Sequence, residues 1–239
     1  MISRILHQTA PTATLAWEER MLLKKARNLL PDWDYMLWTD DDILAVMQRQ
    51  FPLLVDTFKQ ITRGIVIADI GRYAALYEQG GIYLDTDYKL IKAPDRYLHA
   101  SCILPIEEGT IEGRHPSTKV NEFKLGNAFL GSIPRYDFWK DFLVHTLTKV
   151  SVEDLNFGNP VATSGPLALT RFWRCYGGHY PGVILPDKAE FYPALTGLNF
   201  SFAGTPDTIG VHLCWGSWRG KRSLQKYRNI IRRKVTGWL

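Results

Sequence analysis

Two aspartates separated by one residue are the part of this chain whose types and spacing point most directly to chemistry. Asp85 and Asp87 follow residues 82–84, an apolar run that reads as a short strand after two glycines. Side chains two apart on a strand point to the same face, so the carboxylates are expected to converge while Thr86 points away. Convergent carboxylates repel unless a cation lies between them, and Mg²⁺ and Mn²⁺ commonly share such ligands with nucleotide phosphates. The spacing therefore predicts a metal–diphosphate site.

The helix expected just before this strand carries a second pair of charged residues. Residues 65–79 are apolar nearly all round, which predicts a buried helix, and Asp69 and Arg72 lie three apart on one face of it. A purely structural ion pair is one explanation, but buried pairs stabilise poorly compared with apolar side chains. A cavity-lining role is favoured, in which Arg72 binds a phosphate and Asp69 accepts hydrogen bonds from sugar hydroxyls.

Three further polar positions each have an ordinary structural explanation beside a functional one. Asn127 opens an apolar strand, where an amide often initiates a turn. Residues 164–166 look like a helix start with Ser164 as its cap, although a helix N-terminus also suits an anionic ligand. His212 ends a late strand and precedes a Gly-Ser-Trp loop (216–218) that would fold over a site as a lid.

The elements that must position these residues alternate between strands and helices. Strands are expected at residues 5–8, 35–38, 82–84, 101–106, 125–131, 183–185 and up to about 212. Helices are expected at residues 14–30, 65–79, 136–150 and 167–175, and from residue 40 onward. The three aspartates at 40–42 are interpreted as first-turn acids of that helix and not as metal ligands. The alternation predicts a single α/β domain with a mainly parallel central sheet flanked by helices.

Composition places the chain among soluble or peripheral globular proteins. Its 239 residues are 46% hydrophobic and 22% charged, enough for one well-packed domain. Three widely spaced cysteines make a disulfide scaffold or a structural zinc site unlikely and favour a reducing compartment. No signal-peptide pattern and no apolar run of roughly 18 residues is present. A cytoplasmic location is expected, with possible attachment to the cytoplasmic membrane face.

The basic charge of the chain is concentrated at its C-terminal end. Residues 219–239 contain eight basic residues and no acid, while the rest of the chain has 21 basic and 24 acidic residues. Apolar residues recur at helical spacing within this tail, which predicts a basic amphipathic helix that binds an anionic membrane surface. A solvated helix packed on the domain is the alternative. Nucleic acid is a poor partner, because the basicity is confined to one terminus.

Residues 69–87 together closely resemble the DxD sugar-binding region of glycosyltransferase family 32. The similarity extends to residues 4–8, to the segments at Asn127 and at residues 164–166, and to residues 212–218. The catalytic domains of the large clostridial glucosylating toxins look like more distant relatives. The resemblance implies a GT-A (Rossmann-like) domain over residues 1–218, followed by the tail at 219–239. It also implies retaining, metal-dependent transfer of a hexose from a UDP- or GDP-linked donor to a glycan or lipid-linked acceptor in polysaccharide biosynthesis.

The resemblance also implies roles for individual residues. Asp87 would bind Mn²⁺ or Mg²⁺ directly, Asp85 would contact the metal and the donor, and His212 would complete the metal shell. The residues expected to bind the donor are His7, Gln8, Thr9, Asp69, Arg72, Tyr83, Asp85, Asn127, Ser217 and Trp218. Catalysis is expected to depend on Asp85, Asp87, Arg72 and Trp218, because a metal, a guanidinium and an indole N–H would stabilise the leaving diphosphate.

Two other functions fit the aspartate pair less well. A haloacid-dehalogenase-like phosphohydrolase also uses a strand-end Asp-x-Asp with Mg²⁺, but that motif normally ends the first strand and continues with Gly-Thr, whereas here Tyr88 and Lys89 follow. A non-catalytic sugar-binding protein is the other alternative, and retention of both aspartates and Arg72 argues against it.

Overall fold

The computed structural model describes residues 1–109, 123–196, 201–202 and 204–215. Its strands are β1 (Ile5–Thr9), β2 (Asp34–Trp38), β3 (Gly81–Leu84), β4 (Tyr88–Leu90), β5 (Cys102–Ile103), β6 (Ile106–Glu108), β7 (Lys124–Leu125), β8 (Phe129–Ser132), β9 (Val183–Ile184), β10 (Leu195–Thr196), β11 (Ser201–Phe202) and β12 (Gly210–His212). Its helices are α1 (Trp17–Leu29), α2 (Asp40–Gln50), α3 (Val55–Lys59), α4 (Gly64–Gln79), α5 (Asp137–Lys149), α6 (Val152–Phe157), α7 (Pro160–Thr163), α8 (Pro166–Tyr176) and α9 (Lys188–Phe191). Short 3-10 turns lie at Pro52–Leu54, Asp95–Tyr97 and Gly177–His179.

A six-stranded sheet in the order β2-β1-β3-β8-β5-β9 forms the centre of the molecule. β1 is parallel to both β2 and β3, and β9 is parallel to β5, whereas β8 is antiparallel to β3 and β5. Five of the six strands therefore run in one direction, which confirms the predicted mainly parallel sheet. β4 and β12 form a separate antiparallel pair beside it, as do β6 with β7 and β10 with β11.

The helix that carries the buried charged pair packs at the centre of the fold. α4 contacts α2, α5, β1, β3 and β8, and its apolar side chains, such as Val66, Ile70 and Leu76, are fully buried. This confirms the predicted buried helix, because Val66 and every residue from 69 to 76 are buried. Asp69 and Arg72 are buried with it, so their polar atoms must find partners within the protein.

One of the three acids at the start of α2, Asp42, forms a helix cap with Thr39, as predicted. Thr39 Oγ1 accepts a hydrogen bond from the Asp42 N–H, and Asp42 Oδ2 accepts one from the Thr39 N–H at 2.9 Å. This reciprocal pair satisfies backbone donors that the first helical turn leaves free. Asp42 is therefore a capping residue and does not contribute to a metal site.

Two predicted strands are interrupted in the structure. The strand expected over residues 101–106 divides into β5 and β6 around Pro105, which has no N–H for a ladder. The strand expected over residues 125–131 divides into β7 and β8, because the Tyr192 hydroxyl accepts the N–H groups of Ala128 and Phe129, both at 2.9 Å. The interruption leaves Asn127 outside any ladder.

The described residues include all three cysteines but not the C-terminal tail. Cys102, Cys175 and Cys214 are all free thiols, so no disulfide joins them, as expected. Within the described ranges, no helix combines the length and the apolar character that crossing a bilayer requires. The lid residues Ser217 and Trp218 and the basic helix predicted for residues 219–239 lie outside those ranges, so the division at residue 218 stays a prediction.

Candidate active site

The Asp85-Thr86-Asp87 segment is a turn that follows β3, closed by the Tyr88 N–H donating to the Asp85 carbonyl at 2.9 Å. Alternation along a strand is therefore not what orients its carboxylates. The expectation that Thr86 points away is wrong in consequence, since Thr86 lines the cleft and donates a hydrogen bond to Glu19 Oε1 at 2.9 Å. Glu19 Oε2 accepts the Ala16 N–H, which connects the start of α1 to this turn.

His212 reaches the turn because β12 pairs with β4, with His212 opposite Tyr88. His212 Nε2 lies 3.2 Å from Asp87 Oδ1 and 3.9 Å from Asp85 Oδ2. One ligand atom from each of the three residues lies within 4.8 Å of the others. The Trp215 N–H also donates to Asp87 Oδ2 at 2.8 Å, which fixes that carboxylate from the other side. The structure thus brings together the three predicted metal ligands.

At this cluster, charge pairing has a larger effect than burial on the pKa values of Asp87 and His212. Burial acts to raise the pKa of Asp87, but the charge and hydrogen bond of His212 and the Trp215 N–H outweigh it, so the pKa is lowered. Burial acts to lower the pKa of His212, and the Asp87 carboxylate outweighs it, so that pKa lies well above its usual value. Two carboxylates and an imidazole, converging on one point, fit Mn²⁺ or Mg²⁺ by the chemistry of the donor set.

Asp85 is held from beneath by groups of the protein interior. Its Oδ1 accepts a hydrogen bond from the Tyr83 hydroxyl at 2.8 Å and pairs with Arg72 Nη1 at 3.0 Å. The Thr9 hydroxyl lies 2.9 Å from the Tyr83 oxygen and donates to it. With Oδ1 fully engaged, Oδ2 is the oxygen that faces His212 and the cleft. Tyr83 therefore orients Asp85, besides lining the cleft itself.

Arg72 joins the two acidic positions of the site. Besides Asp85, its guanidinium pairs with Asp69 Oδ1 at 3.2 Å and donates to the Asn127 carbonyl at 2.6 Å. It also lies over the Tyr83 ring, 4.8 Å from the centroid. Only 4% of the Arg72 side chain is exposed, and most of its donors already contact groups of the protein. This placement favours a positioning role over the predicted direct clamp on a phosphate.

Asp69 is the centre of a buried polar network that faces the cleft. Its Oδ1 also accepts a hydrogen bond from Asn127 Nδ2 at 3.0 Å, and its Oδ2 accepts one from Ser164 Oγ at 2.7 Å. Burial raises the pKa of Asp69 to about 6, although Arg72, Ser164 and Asn127 counteract part of the shift. The structure thus joins Asp69, Arg72 and Asn127, as the sequence predicted.

Ser164 was expected to cap α8, and this is wrong. The cap position of α8 belongs to Gly165, which provides no side chain, and Ser164 is fully buried against Asp69. The Ser164 carbonyl also accepts the hydroxyl of Tyr73 at 2.9 Å, and that hydroxyl in turn accepts Asn127 Nδ2 at 3.1 Å. Sequence reasoning missed Tyr73 and this role of Ser164, since neither stands out from its neighbours by spacing or charge.

The three β1 residues expected to bind the donor, His7, Gln8 and Thr9, are placed differently from one another. Thr9 lines the cleft, whereas His7 and Gln8 lie beneath its surface. His7 Nε2 donates to the Gly80 carbonyl at 2.7 Å, and its Nδ1 accepts the Trp38 indole N–H at 3.0 Å. Gln8 donates to the Asp85 carbonyl at 3.4 Å. Direct contact of His7 or Gln8 with a base is therefore not supported, and both are positioning residues.

Among these groups, the ones that border a single cleft of about 550 Å³ are Thr9, Asp69, Arg72, Tyr83, Asp85, Thr86, Asp87, Asn127 and His212. Several residues that sequence analysis did not assign to a site also line it: Ala10, Pro11, Thr14, Glu19, Asp40, Glu107, Lys124 and Tyr192. Glu107 and Lys124 form an ion pair across β6 and β7, at 3.3 Å. Their single charges in short strands give no spacing signal, so only the fold could assign them to the cleft.

The fold and the site together define an α/β protein of the GT-A glycosyltransferase type. A solved structure that shares the fold is the UDP-bound glycosyltransferase domain of the YGT toxin, with a TM-score of 0.53, 10% identity, and coverage of 77% of this chain and 79% of that one. Residues 17–104 match the family model described as the glycosyltransferase sugar-binding region containing DXD motif. The resemblance to glycosyltransferase family 32 is confirmed, and the chain carries this sugar-binding region.

Curated relatives are mannosyltransferases of yeasts. Mannosyl phosphorylinositol ceramide synthase SUR1 of Saccharomyces cerevisiae is 28% identical over 74% of this chain and 43% of its own length. Inositol phosphoceramide mannosyltransferase 3 of Schizosaccharomyces pombe is 27% identical over 79% of this chain and 51% of its own length. The chain therefore spans about half of these relatives or less.

Proposed function

We propose that this chain is the catalytic region of a retaining, metal-dependent glycosyltransferase, which moves a hexose from a UDP- or GDP-linked donor to a glycan or lipid-linked acceptor. The observation that carries the proposal is the juxtaposition, in one cleft, of two sets of residues. Asp85, Asp87 and His212 form a cation site, and Asp69 with Asn127 forms a buried polar wall beside it. The cation site suits a diphosphate, which binds through a divalent cation. The polar wall suits a hexose, whose many hydroxyls need hydrogen-bond partners.

Asp85, Asp87 and His212 would hold Mn²⁺ or Mg²⁺, which supplies positive charge to offset the charge that develops on the leaving diphosphate. The protein's own contribution is orientation. Tyr83 and Arg72 fix Asp85 from below, and the Trp215 N–H fixes Asp87 from the side. A cleft whose donors are fixed in advance needs little reorganisation during the reaction, which is how such sites lower the barrier.

The proposed chemistry breaks the bond between the anomeric carbon and the diphosphate oxygen and forms a new bond from that carbon to an acceptor hydroxyl oxygen. The hydroxyl proton passes to the departing diphosphate, which leaves from the same face that the acceptor approaches. This front-face route retains the anomeric configuration without a protein nucleophile. The proposal places Ser217 and Trp218 over the diphosphate, on the basis of the family resemblance alone.

A lipid-linked acceptor is the choice that the relatives favour. The names of the two yeast relatives refer to mannosyl phosphorylinositol ceramide and to inositol phosphoceramide, which are lipids with an inositol head group. By extension, we propose a hydroxyl-rich, lipid-linked acceptor here, reached at the cytoplasmic face of a membrane with the help of the basic residues at 219–239. If deleting residues 222–239 leaves co-sedimentation with anionic liposomes unchanged, the membrane part of this proposal fails.

The two alternatives named above are less well supported. Asp85 is unsuited to the role of a phosphohydrolase nucleophile, because one of its oxygens is engaged by both Arg72 and Tyr83. A non-catalytic sugar-binding protein would not need three convergent cation ligands. Turnover distinguishes all three functions.

The decisive experiment incubates the protein with a panel of UDP- and GDP-sugars and Mn²⁺ and measures release of the nucleoside diphosphate. We expect one donor to be consumed, and Asp87→Ala to lower the rate at least 100-fold, because a metal ligand is lost. Asp32→Ala is the matched control, since Asp32 is an exposed turn residue that does not line the cleft. If the wild-type protein neither binds nor consumes any nucleotide sugar with Mn²⁺ present, the proposed function is wrong.

A further inference from the structure

Asp40 is a cleft residue to which the chemistry above gives no task. It is the first residue of α2 and is separated by Thr39 alone from β2, whose last residue, Trp38, pairs with Thr9 of β1. The Ala10 N–H donates to the Trp38 carbonyl at 3.0 Å, which keeps the two strand ends together. Asp40, Thr9 and Ala10 all line the cleft. They form one end of it, at the carboxyl ends of β1 and β2.

The order of strands fixes which part of a nucleotide sugar would occupy this end. The cation site follows β3, with β1 and then β2 on one side of it and β8 on the other. Neighbouring strands lie about 4.8 Å apart, so the end of β2 is about 10 Å from the end of β3. The polar wall of Asp69 and Asn127 lies on the β8 side. With the sugar there and the diphosphate at the cation site, the nucleoside extends toward Asp40. This step rests on the proposed function.

The cap of α2 does not use the Asp40 carboxylate. Thr39 and Asp42 already form the cap of α2, and Asp41 is exposed. No hydrogen bond or ion pair to the Asp40 side chain is formed by any residue of the ranges that the structure covers. Burial in the cleft wall, followed by the nearby charge of Asp41, raises the pKa of Asp40. A half-buried carboxylate that has no partner among the described residues is suited to accept hydrogen bonds from a ligand.

We propose that Asp40 reads the base of the donor nucleotide and selects guanine. A carboxylate offers two adjacent acceptors, and guanine has two adjacent donors on one edge, the N1–H and the N2 amino group. Uracil instead presents a single N3–H between two carbonyl oxygens, so the second carboxylate oxygen would face an acceptor. Adenine and cytosine each place an amino group beside a ring acceptor. Among the common bases, guanine alone matches both oxygens of Asp40.

The test uses the Asp40→Asn variant and diphosphates that differ only in the base edge. Binding of GDP, IDP, UDP and xanthosine diphosphate is measured by calorimetry with Mn²⁺ present. Xanthine keeps the N1–H but has a carbonyl where guanine has the amino group, so its edge matches the oxygen and the nitrogen of an asparagine amide. We expect wild type to bind GDP tenfold or more tightly than UDP, with IDP between them. Hypoxanthine keeps the N1–H but lacks the amino group, and uracil in addition places a carbonyl oxygen against the second carboxylate oxygen.

In Asp40→Asn, we expect GDP affinity to fall about tenfold and xanthosine diphosphate affinity to rise, so that the preference is inverted. A folding defect cannot produce a gain for one base. Asp41→Asn is the matched control, because it removes the same charge from the same helical turn at an exposed position. It should leave the preference unchanged.

Two results would overturn the proposal while leaving the glycosyltransferase function intact. One is wild-type binding of UDP as tight as that of GDP. The other is an equal loss for every base in Asp40→Asn, which would assign Asp40 to the ribose or to packing. Absence of binding for all four diphosphates would instead contradict the proposed function itself, and the base assignment with it.

Discussion

The two aspartates of the Asp85-Thr86-Asp87 turn are held by different parts of the molecule. Asp85 receives its hydrogen bonds from Tyr83 and Arg72, which belong to the sheet and to the central helix. Asp87 is held by His212 and the Trp215 N–H, which come from the last described segment of the chain. Damage to the core should therefore affect Asp85 first, and displacement of the late segment should affect Asp87 first.

A buried histidine beneath the site makes the fold sensitive to acid. Burial lowers the pKa of His7 to about 4, and its two ring nitrogens are used by Gly80 and Trp38 in the neutral form. An unfolded histidine titrates near 6.5. The stability contributed by neutral His7 is therefore complete above pH 6.5, and it is lost as the pH falls from 6.5 toward about 4.

We expect His7→Gln to remove this part of the acid sensitivity. The difference in unfolding free energy between wild type and variant should change by about 3 kcal/mol between pH 7.5 and pH 4. Urea unfolding of both proteins at several pH values measures this change. Because other titrating groups such as Asp69 are present in both proteins, their contributions to the pH dependence cancel in the difference. A constant difference across that range would show that His7 does not titrate as proposed.

At the scale of elements, the β4–β12 pair is what brings His212 to the turn. Gly210 of β12 lies directly against Tyr88, so that an added Cβ would approach the Tyr88 Cε1 atom to 2.3 Å and the Lys89 carbonyl oxygen to 2.8 Å. The Tyr88 ring cannot move away easily, because it is 1% exposed and its hydroxyl donates to the Phe191 carbonyl at 2.7 Å. The close approach of the two strands therefore depends on glycine.

We expect Gly210→Ala to shift β12 and weaken the cation site without touching a ligand. Displacing His212 should lower Mn²⁺ affinity by roughly tenfold or more, as changes behind a metal ligand commonly do. Electron paramagnetic resonance titration of free Mn²⁺ measures it. Gly178→Ala is the control, since an added Cβ there meets nothing within 4 Å. Equal Mn²⁺ affinity in both variants would show that the close pairing of β12 with β4 is not needed for the cation site.

The sequence predicted most of the helices and strands, but it predicted fewer of the contacts that position the site residues. The apolar runs of β1, β2 and β3 and the buried helix α4 follow periodicity, which local sequence encodes. The approach of His212 to Asp87, by contrast, depends on the pairing of β12 with β4, which lie over a hundred residues apart, and local sequence does not report that pairing. Ser164 was interpreted from its neighbours as a cap, because no local signal reports a contact with Asp69.

At the scale of the whole molecule, the cleft joins strands from both halves of the chain, so ligands should stabilise the fold as a unit. We expect Mn²⁺ with a bound nucleoside diphosphate at about 100 times its dissociation constant to add about 2.7 kcal/mol to the unfolding free energy. For a chain of 239 residues this raises the melting temperature by roughly 5–10 °C. Differential scanning fluorimetry measures the shift. An equal shift in Asp87→Ala would argue against binding at this site.

The reversed direction of β8 has a consequence for how such sites are found. Because β8 runs against its neighbours, the residues that precede it lie at the edge where those neighbours finish. Asn127 thereby meets Asp69 although it stands before a strand, while Asp85 stands after one. A search that inspects only the residues following each strand would recover the aspartates and overlook the amide. Surveys of distant sequences should therefore weigh strand beginnings and strand endings alike wherever one strand in a sheet is inverted.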